Sequence, residues 1–451
     1  MPSQLPVTPL WGRETSLAIE NFPISGQALP IEIVHAVAAV KHDAALVNAS
    51  IPATSIDQRA ATAIVAAAVR IEAGEFDDQF PIDIFQTGSG TSTNMNVNEV
   101  IAHLASSTDI TIHPNDHVNA SQSSNDVFPT AVAIAALTLV DRSLLPAVAR
   151  LTDSLEAAAR RFASVVKTGR THLMDAVPIL LGDEFSGYAA QLREATERIG
   201  DAVPRLGRVP LGGTAVGNGL NAPPTFGPDA VAALAHRLGL PLTVSPNRVA
   251  AQGARDAVVE MSAAMRGLAI ALVKIANDVR LMASGPVAGL GELILPTLQA
   301  GSSIMPGKVN PVMSEMVTQV AAQVIGNDAA IAFAGSQGSF ELNTYQPVMA
   351  ANLISSVKLL GRACSVFAER CIDGVEADSR RTRYLVEATP SVAAALNPAL
   401  GYDRVAALVK QAVATGQPLR EVVVAETTMP AAEVDRLLDV DRLARGNQPS
   451  R

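Results

Sequence analysis

The feature that most constrains this chain is a series of long segments in which apolar residues recur at three- and four-residue steps and few charges interrupt any face. The pattern predicts helices over residues 31–48, 55–72, 94–104, 126–165, 182–203, 254–283, 311–334 and 343–371. Ser55 and Gln58 have the spacing of a capping box at the start of the second. Pro146, inside the fourth, is expected to kink or break it, because proline lacks the amide donor and its ring meets a carbonyl one turn back. A helix apolar nearly all round must be buried. One subunit has too little interior for several of them, which predicts a homo-oligomer with a shared helical core. The expected fold is mainly α, with an N-terminal mostly helical domain over residues 1–121 and a central long-helix bundle over 122–379. A small C-terminal helical domain is expected over 380–451, where shorter helices are separated by Pro and Gly.

Composition narrows the function. Hydrophobic residues make up 48% of the 451 and aromatics only 4%, so the interior is largely Ala, Val, Leu and Ile, suited to close helix packing and not to a β-sandwich. The net charge of −9 argues against nucleic acid as a partner, since phosphate neutralisation needs a basic face. It leaves room for a small anion held by a few local cations. Two cysteines, Cys364 and Cys371, cannot build a disulfide framework and read as buried thiols. No basic run followed by an apolar one opens the chain, and no window approaches ~20 uninterrupted apolar residues. The expectation is a soluble, cytoplasmic protein without a membrane span.

Four polar stretches interrupt the helical pattern. The first contains Gly88-Ser89-Gly90-Thr91, where glycines let backbone approach a ligand and hydroxyls can donate to carboxylates. Asn94 or a neighbour is placed to open the next helix, although a plain capped loop would account for this stretch alone. The second runs from His113-Pro114-Asn115-Asp116 to Ser123-Ser124-Asn125, a density of polar groups beyond what one helix cap requires. The third is Gly169-Arg170-Thr171-His172; histidine suits acid–base work near neutrality, though a lone histidine is often structural. The fourth is Gly301-Ser302-Ser303-Ile304-Met305-Pro306-Gly307-Lys308-Val309-Asn310-Pro311. It combines glycine flexibility with a cation, and Asn310-Pro311 reads as N-cap and first helical residue. Glu315 follows one turn into that helix. A surface connection would need neither two serines nor this lysine.

Together these stretches resemble the class II fumarase branch of the fumarase/aspartase superfamily, with GSSIMPGKVNP as the most specific motif. NDVFPTA, GRTHLMDAVP, GGTAVG, KIANDVR and QVIGNDAA are similar to family segments in the same order, from about Leu10 onward. Aspartate ammonia-lyases typically carry Gln where this chain has His172, and a different pattern where it reads GSGT. The preference is therefore for water over ammonia. Two departures stand out. Relatives usually have a further short segment before LWG and a QTQR-like run after it, where this chain reads Arg13-Glu14-Thr15-Ser16. His117 stands where relatives often carry Asp.

The resemblance implies a three-domain fold, a homotetramer whose helical core is shared, active sites drawn from three chains, and no metal or cofactor. It implies Ser302 as the base for the C3 proton of malate, and His172 with Glu315 on the hydroxyl side. Lys308 and Asn310 would stabilise the developing charge. Ser89, Gly90, Thr91, Ser123, Ser124, Asn125, Thr171, Ser303 and Val309 would help hold the dicarboxylate. His113, Pro114, Asn115 and Asp116 look like the family's secondary anion site. Two alternatives are aspartate ammonia-lyase activity and a catalytically silent superfamily member.

Overall fold

The structure, a computed structural model, describes residues 8–446 except Ser55 and Ala300. It is mainly α, with three two-stranded sheets among the described residues. The long apolar patterns form helices close to their expected bounds: Ile31–Ser50, Leu181–Leu206, Asp256–Met282, Val312–Gly335 and Gln346–Phe367. The expected capping box at Ser55 lies outside the described residues. The helix there is Gln58–Glu72, and Asp57 caps it by accepting from the Ala60 amide at 2.7 Å.

Pro146 does not break its helix. The segment Ser124–Leu139 widens into a π-turn over Val140–Leu144 and continues as Leu145–Arg161. The wider turn absorbs the missing donor and the clash that the ring would make with the carbonyl four residues back. By length and composition the span Ser124–Arg161 could cross a membrane, but most of its apolar window is buried inside the protein, as in a core helix.

The chain forms two compact units. One gathers the described residues of Met1–Ala147, Glu194–Ile270 and Gln319–Arg362. Its core includes Ile33, Val37, Ile64, Val100 and Phe128, all fully buried. Family-like segments act here as struts. In QVIGNDAA, Asp328 accepts from the Ser262 hydroxyl at 2.7 Å and from Arg266 at 2.8 Å, and the Asn327 amide donates to Ser356 Oγ at 3.0 Å. The run after LWG is held by Glu99, whose carboxylate accepts from the amides of Gly12, Glu14 and Thr15 and from the Thr15 hydroxyl. Those are the free amides of the helix Arg13–Asn21, a position that favours a negative charge.

The second unit gathers Val148–Arg193, Ala271–Thr318 and the described residues of Ala363–Arg451. It contains an antiparallel hairpin that helical periodicity did not anticipate, Val166–Thr171 paired with Met174–Leu180. The hairpin base is anchored in a small apolar cluster, where Val166 packs with Val386, Val392, Val440 and Ala444 of the C-terminal helices. A second cluster, including Leu396, Leu408, Val423 and Val434, gives those helices a core of their own.

Candidate active site

In the first unit, the glycine stretch and the serine stretch are both built by close approach. Gly90 adopts φ +77° and caps the helix Thr91–Ala105. A Cβ there would lie 2.2 Å from the Phe128 ring, and one at Gly88 would lie 1.7 Å from the Thr344 carbonyl oxygen. Only glycine fits either place. The helix therefore opens at Thr91, three residues before the expected Asn94, and its N-terminus favours an anion. The Ser89 and Thr91 hydroxyls lie 2.7 Å apart.

Asn94 has another task. Its amide donates to Ser124 Oγ at 3.0 Å and to Asn119 Oδ1 at 3.2 Å. Ser123 caps the helix Ser124–Leu139 in a capping box with Asp126. Asn125, exposed, donates from Nδ2 to the Ala215 carbonyl at 2.9 Å.

Beneath these residues lies a polar network that sequence reasoning missed. Asp126 is fully buried and accepts from the amides of Ser123 (2.9 Å), Gly212 (3.0 Å) and Thr214 (2.9 Å), which ties GGTAVG to the serine turn. Lys41, also fully buried, donates to Asn119 Oδ1 at 2.8 Å and Gln122 Oε1 at 3.0 Å. Burial pushes the Lys41 ammonium down to about 7, with Asp126 opposing the fall. Burial likewise lifts the Asp126 carboxyl to about 6 against its three amide donors and Lys41. A lysine within the apolar run of Ile31–Ser50 was the available signal, since lysine is almost never fully buried unless paired.

The His113–Asp116 stretch forms a π-turn over Pro114–Val118, near the surface. His113 Nδ1 accepts from the Asp116 amide at 3.1 Å, and His117 Nδ1 accepts from the His113 amide at 2.8 Å. The two rings are thus turned onto local backbone.

In the second unit, the hairpin turn consists of His172 and Leu173, at φ +58° and +60°. Two consecutive left-handed residues make the turn type that normally selects Asn-Gly. Leucine in this region is strained. Thr171 and His172 are exposed, and Leu173 keeps 75% of its surface. Behind the tip the ladder shifts register between Thr168 and Arg170, at Gly169, where a Cβ would lie 2.6 Å from the Val177 carbonyl oxygen.

The loop from Gly301 is closed on itself. The Gly301 amide donates to the Lys308 carbonyl at 3.1 Å, and Asn310 Nδ2 donates to the Gly301 carbonyl at 2.8 Å. Asn310 is therefore a clasp and not an N-cap. The following helix begins at Val312, and Pro311 supplies the carbonyl that accepts from the Glu315 amide. Inside the loop, Ser302 Oγ accepts from two backbone amides, Ile304 at 3.2 Å and Met305 at 3.1 Å. Two such donors favour an oxyanion on that atom. Ser303, Lys308 and Val309 are exposed, as is Glu315. Among the described residues, His172 and Glu315 form no ion pair with one another.

The structure thus brings Ser89 close to Thr91, Ser123 to Asn125, and Gly301 to Asn310, each within its own segment. It leaves His172 and Glu315 exposed.

The chain is similar to known proteins over nearly its full length. A family model described as Lyase matches residues 2–326, and one described as Fumarase C C-terminus matches residues 392–445. A class II fumarate hydratase of Mycobacterium tuberculosis is 51% identical over 450 residues, covering 99% of this chain and 94% of that protein. One of Corynebacterium glutamicum is 49% identical over 447 residues, covering 98% and 94%. A crystal structure of class II fumarase from Schistosoma mansoni superposes with a TM-score of 0.95 at 35% identity, covering 98% of this chain and 97% of that one. The family models and the near full-length similarity to class II fumarate hydratases agree, and this chain belongs to the class II fumarate hydratase family.

Proposed function

We propose that this chain hydrates fumarate reversibly to (S)-malate, by anti addition and without a metal, with Ser302 as the carbon-side base and His172 with Glu315 on the hydroxyl side. Family membership supports the overall reaction, fumarate hydration to malate. The observation that carries the finer reading is the pair of backbone donors on Ser302 Oγ.

The C3–H of malate is a very weak acid because the adjacent group is already a carboxylate. Removing that proton builds a second negative charge on the carboxylate, so catalysis must supply preorganised positive charge and N–H donors. A serine hydroxyl is a poor base by itself. Amide donors aimed at its oxygen lower the cost of the oxyanion, and Lys308 adds a cation in the same loop. Lys308 and Asn310 then stabilise the dianionic intermediate. Ser89, Gly90, Thr91, Ser123, Ser124, Asn125, Thr171, Ser303 and Val309 orient the dicarboxylate. His172, oriented by Glu315, exchanges the proton on the hydroxyl side through water. The His113–Asp116 turn is a secondary anion site.

The working form in this reading is a cytoplasmic homotetramer with shared sites, built from the three domains 1–121, 122–379 and 380–451. Exposed apolar side chains on long helices support it, with Ile270 at 54% and Phe333 at 61% of their surface. So does Ile304 in the loop, at 82%.

The test is a paired assay on purified protein: malate formed from fumarate, and ammonia released from aspartate. The expected result is fast hydration and negligible deamination, with isotope exchange at malate C3 abolished by Ser302→Ala. Aspartate turnover without malate formation would overturn the reading in favour of ammonia elimination. No turnover of either by a correctly assembled protein would mark a silent family member.

A further inference from the structure

The hairpin that presents His172 rests on a group of four charges, two of them buried and two partly buried. Arg170, two residues before His172, donates from Nη1 and Nη2 to the two oxygens of Glu292, both at 2.9 Å. Glu292 has no exposed surface. Lys167, on the same strand and 2% exposed, lies 3.5 Å from Glu292 and donates to Glu184 Oε1 at 2.7 Å. The two cations and two carboxylates balance.

Such a group is a poor way to gain stability, because desolvating the charges offsets most of their attraction. A bidentate guanidinium–carboxylate pair does fix geometry, since both planes and both bonds are set at once. Here it sits behind the feature that most needs fixing. The tip holds two non-glycine residues in the left-handed region, and only the surroundings keep them there. The ladder between Arg170 and the hairpin base is interrupted by the register shift at Gly169. The apolar anchor of the hairpin reaches Val166 and no further along the first strand. Cross-strand pairing at Arg170–Asp175 and Thr171–Met174, the Ser391 hydroxyl donating to the Asp175 carbonyl at 3.1 Å, and the Arg170 side chain connect the tip to the body.

Glu292 is also well placed to hold something still. Its amide donates to the Met282 carbonyl at 2.8 Å, and its carbonyl accepts from the Asp378 amide at 3.0 Å. The strand that follows it, Leu293–Ile294, precedes the Gly301 loop in the chain.

From this geometry we infer that Glu292 is a positioning residue for His172, acting through the bidentate clamp on Arg170. The inference rests on the reading of His172 as the hydroxyl-side group. Glu292 touches neither substrate nor His172. It holds the strand so that the strained turn delivers the imidazole at one position.

The test is a kinetic cycle on the full-length assembled protein with Glu292→Gln, His172→Asn and the double variant. Glu292→Gln should lower kcat by roughly tenfold or more, since a small misplacement of a catalytic group is costly, while KM changes little. In the His172→Asn background it should cause no further loss, because the group it positions is gone. Glu292→Asp, which keeps the charge with a shorter reach, should recover part of kcat; it also runs the same cycle if the glutamine variant does not assemble. A kcat for Glu292→Gln near that of the unmodified protein overturns the inference. So does the same fold-loss in both backgrounds, which would mark Glu292 as general scaffold. Full activity of His172→Asn would instead remove the reading of His172, and this inference with it.

Discussion

The two units present their site residues in opposite ways. In the first, Ser123, Ser124 and Asn125 stand on a sealed polar network, with Asp126 taking three amide donors and Lys41 filling the space below. In the second, Ser302, Lys308 and His172 sit on a self-closed loop and a strained hairpin tip, with exposed apolar neighbours at Ile304 and Leu173. The first region is organised before any ligand arrives. The second is organised locally and left open. Under the proposed function, the first unit supplies a binding half held by buried contacts and the second a chemical half held by local ones.

The largest expected effect breaks the chemical half. Ser302→Ala should reduce kcat by about 10³-fold, as expected for loss of a general base. Assembly, followed by light scattering, should stay intact. Turnover close to that of the unmodified protein would take Ser302 out of the base role.

The next breaks the binding half. Asp126→Ala leaves three buried amides without their acceptor and Lys41 without its counter-charge, and should cost about 3 kcal/mol of stability. Denaturant unfolding measures it. A loss below about 1 kcal/mol would show that the network is not the foundation described.

A smaller effect sharpens the contrast. Leu173→Gly relieves a strained left-handed residue and should leave the fold unharmed or more stable by about 1 kcal/mol, with kcat reduced as the tip loosens. A variant that is both more stable and equally active would show that the strain has no function.

The smallest concerns pH. The folded Lys41 pKa is pulled down to about 7, whereas an unfolded lysine titrates near ~10.4. Between those values the unfolded chain holds a proton that the folded chain lacks, so stability from this group rises with pH across the window and is lost as pH falls through about 7. Asp126 has the opposite sign: with a folded value raised to about 6, its contribution is present at low pH and lost as pH rises through about 6. The Tm of the unmodified protein should therefore gain a few degrees on Lys41→Met between about pH 7 and 10. Parallel curves for the two proteins would refute the shift.

Helices were the legible part of this fold. The spacing over 182–203 predicted Leu181–Leu206 to within three residues at either end, because helix pairing is local and each turn repeats the same test of the pattern. The hairpin was not legible by helical periodicity, although the run from Val166 to Leu180 does alternate in part. Two strands of six and seven residues carry little local signal, and what holds them is an apolar cluster from residues more than two hundred positions away. Lys41 was hidden for a similar reason: it lies in an apolar helix, and its partners Asn119 and Gln122 are supplied by another part of the chain.

By itself the sequence determined that the protein is mainly helical, that four polar stretches interrupt the helices, and that one loop combines glycine, serine and lysine. These follow from residue type and short spacing. Only the tertiary structure decided that Ser302 Oγ faces two amides, that His172 sits at a left-handed turn, and that Arg170 is clamped by a carboxylate 122 residues away. Those depend on which distant groups meet once the apolar helices have packed, and burial then sets how strongly the polar ones bind each other.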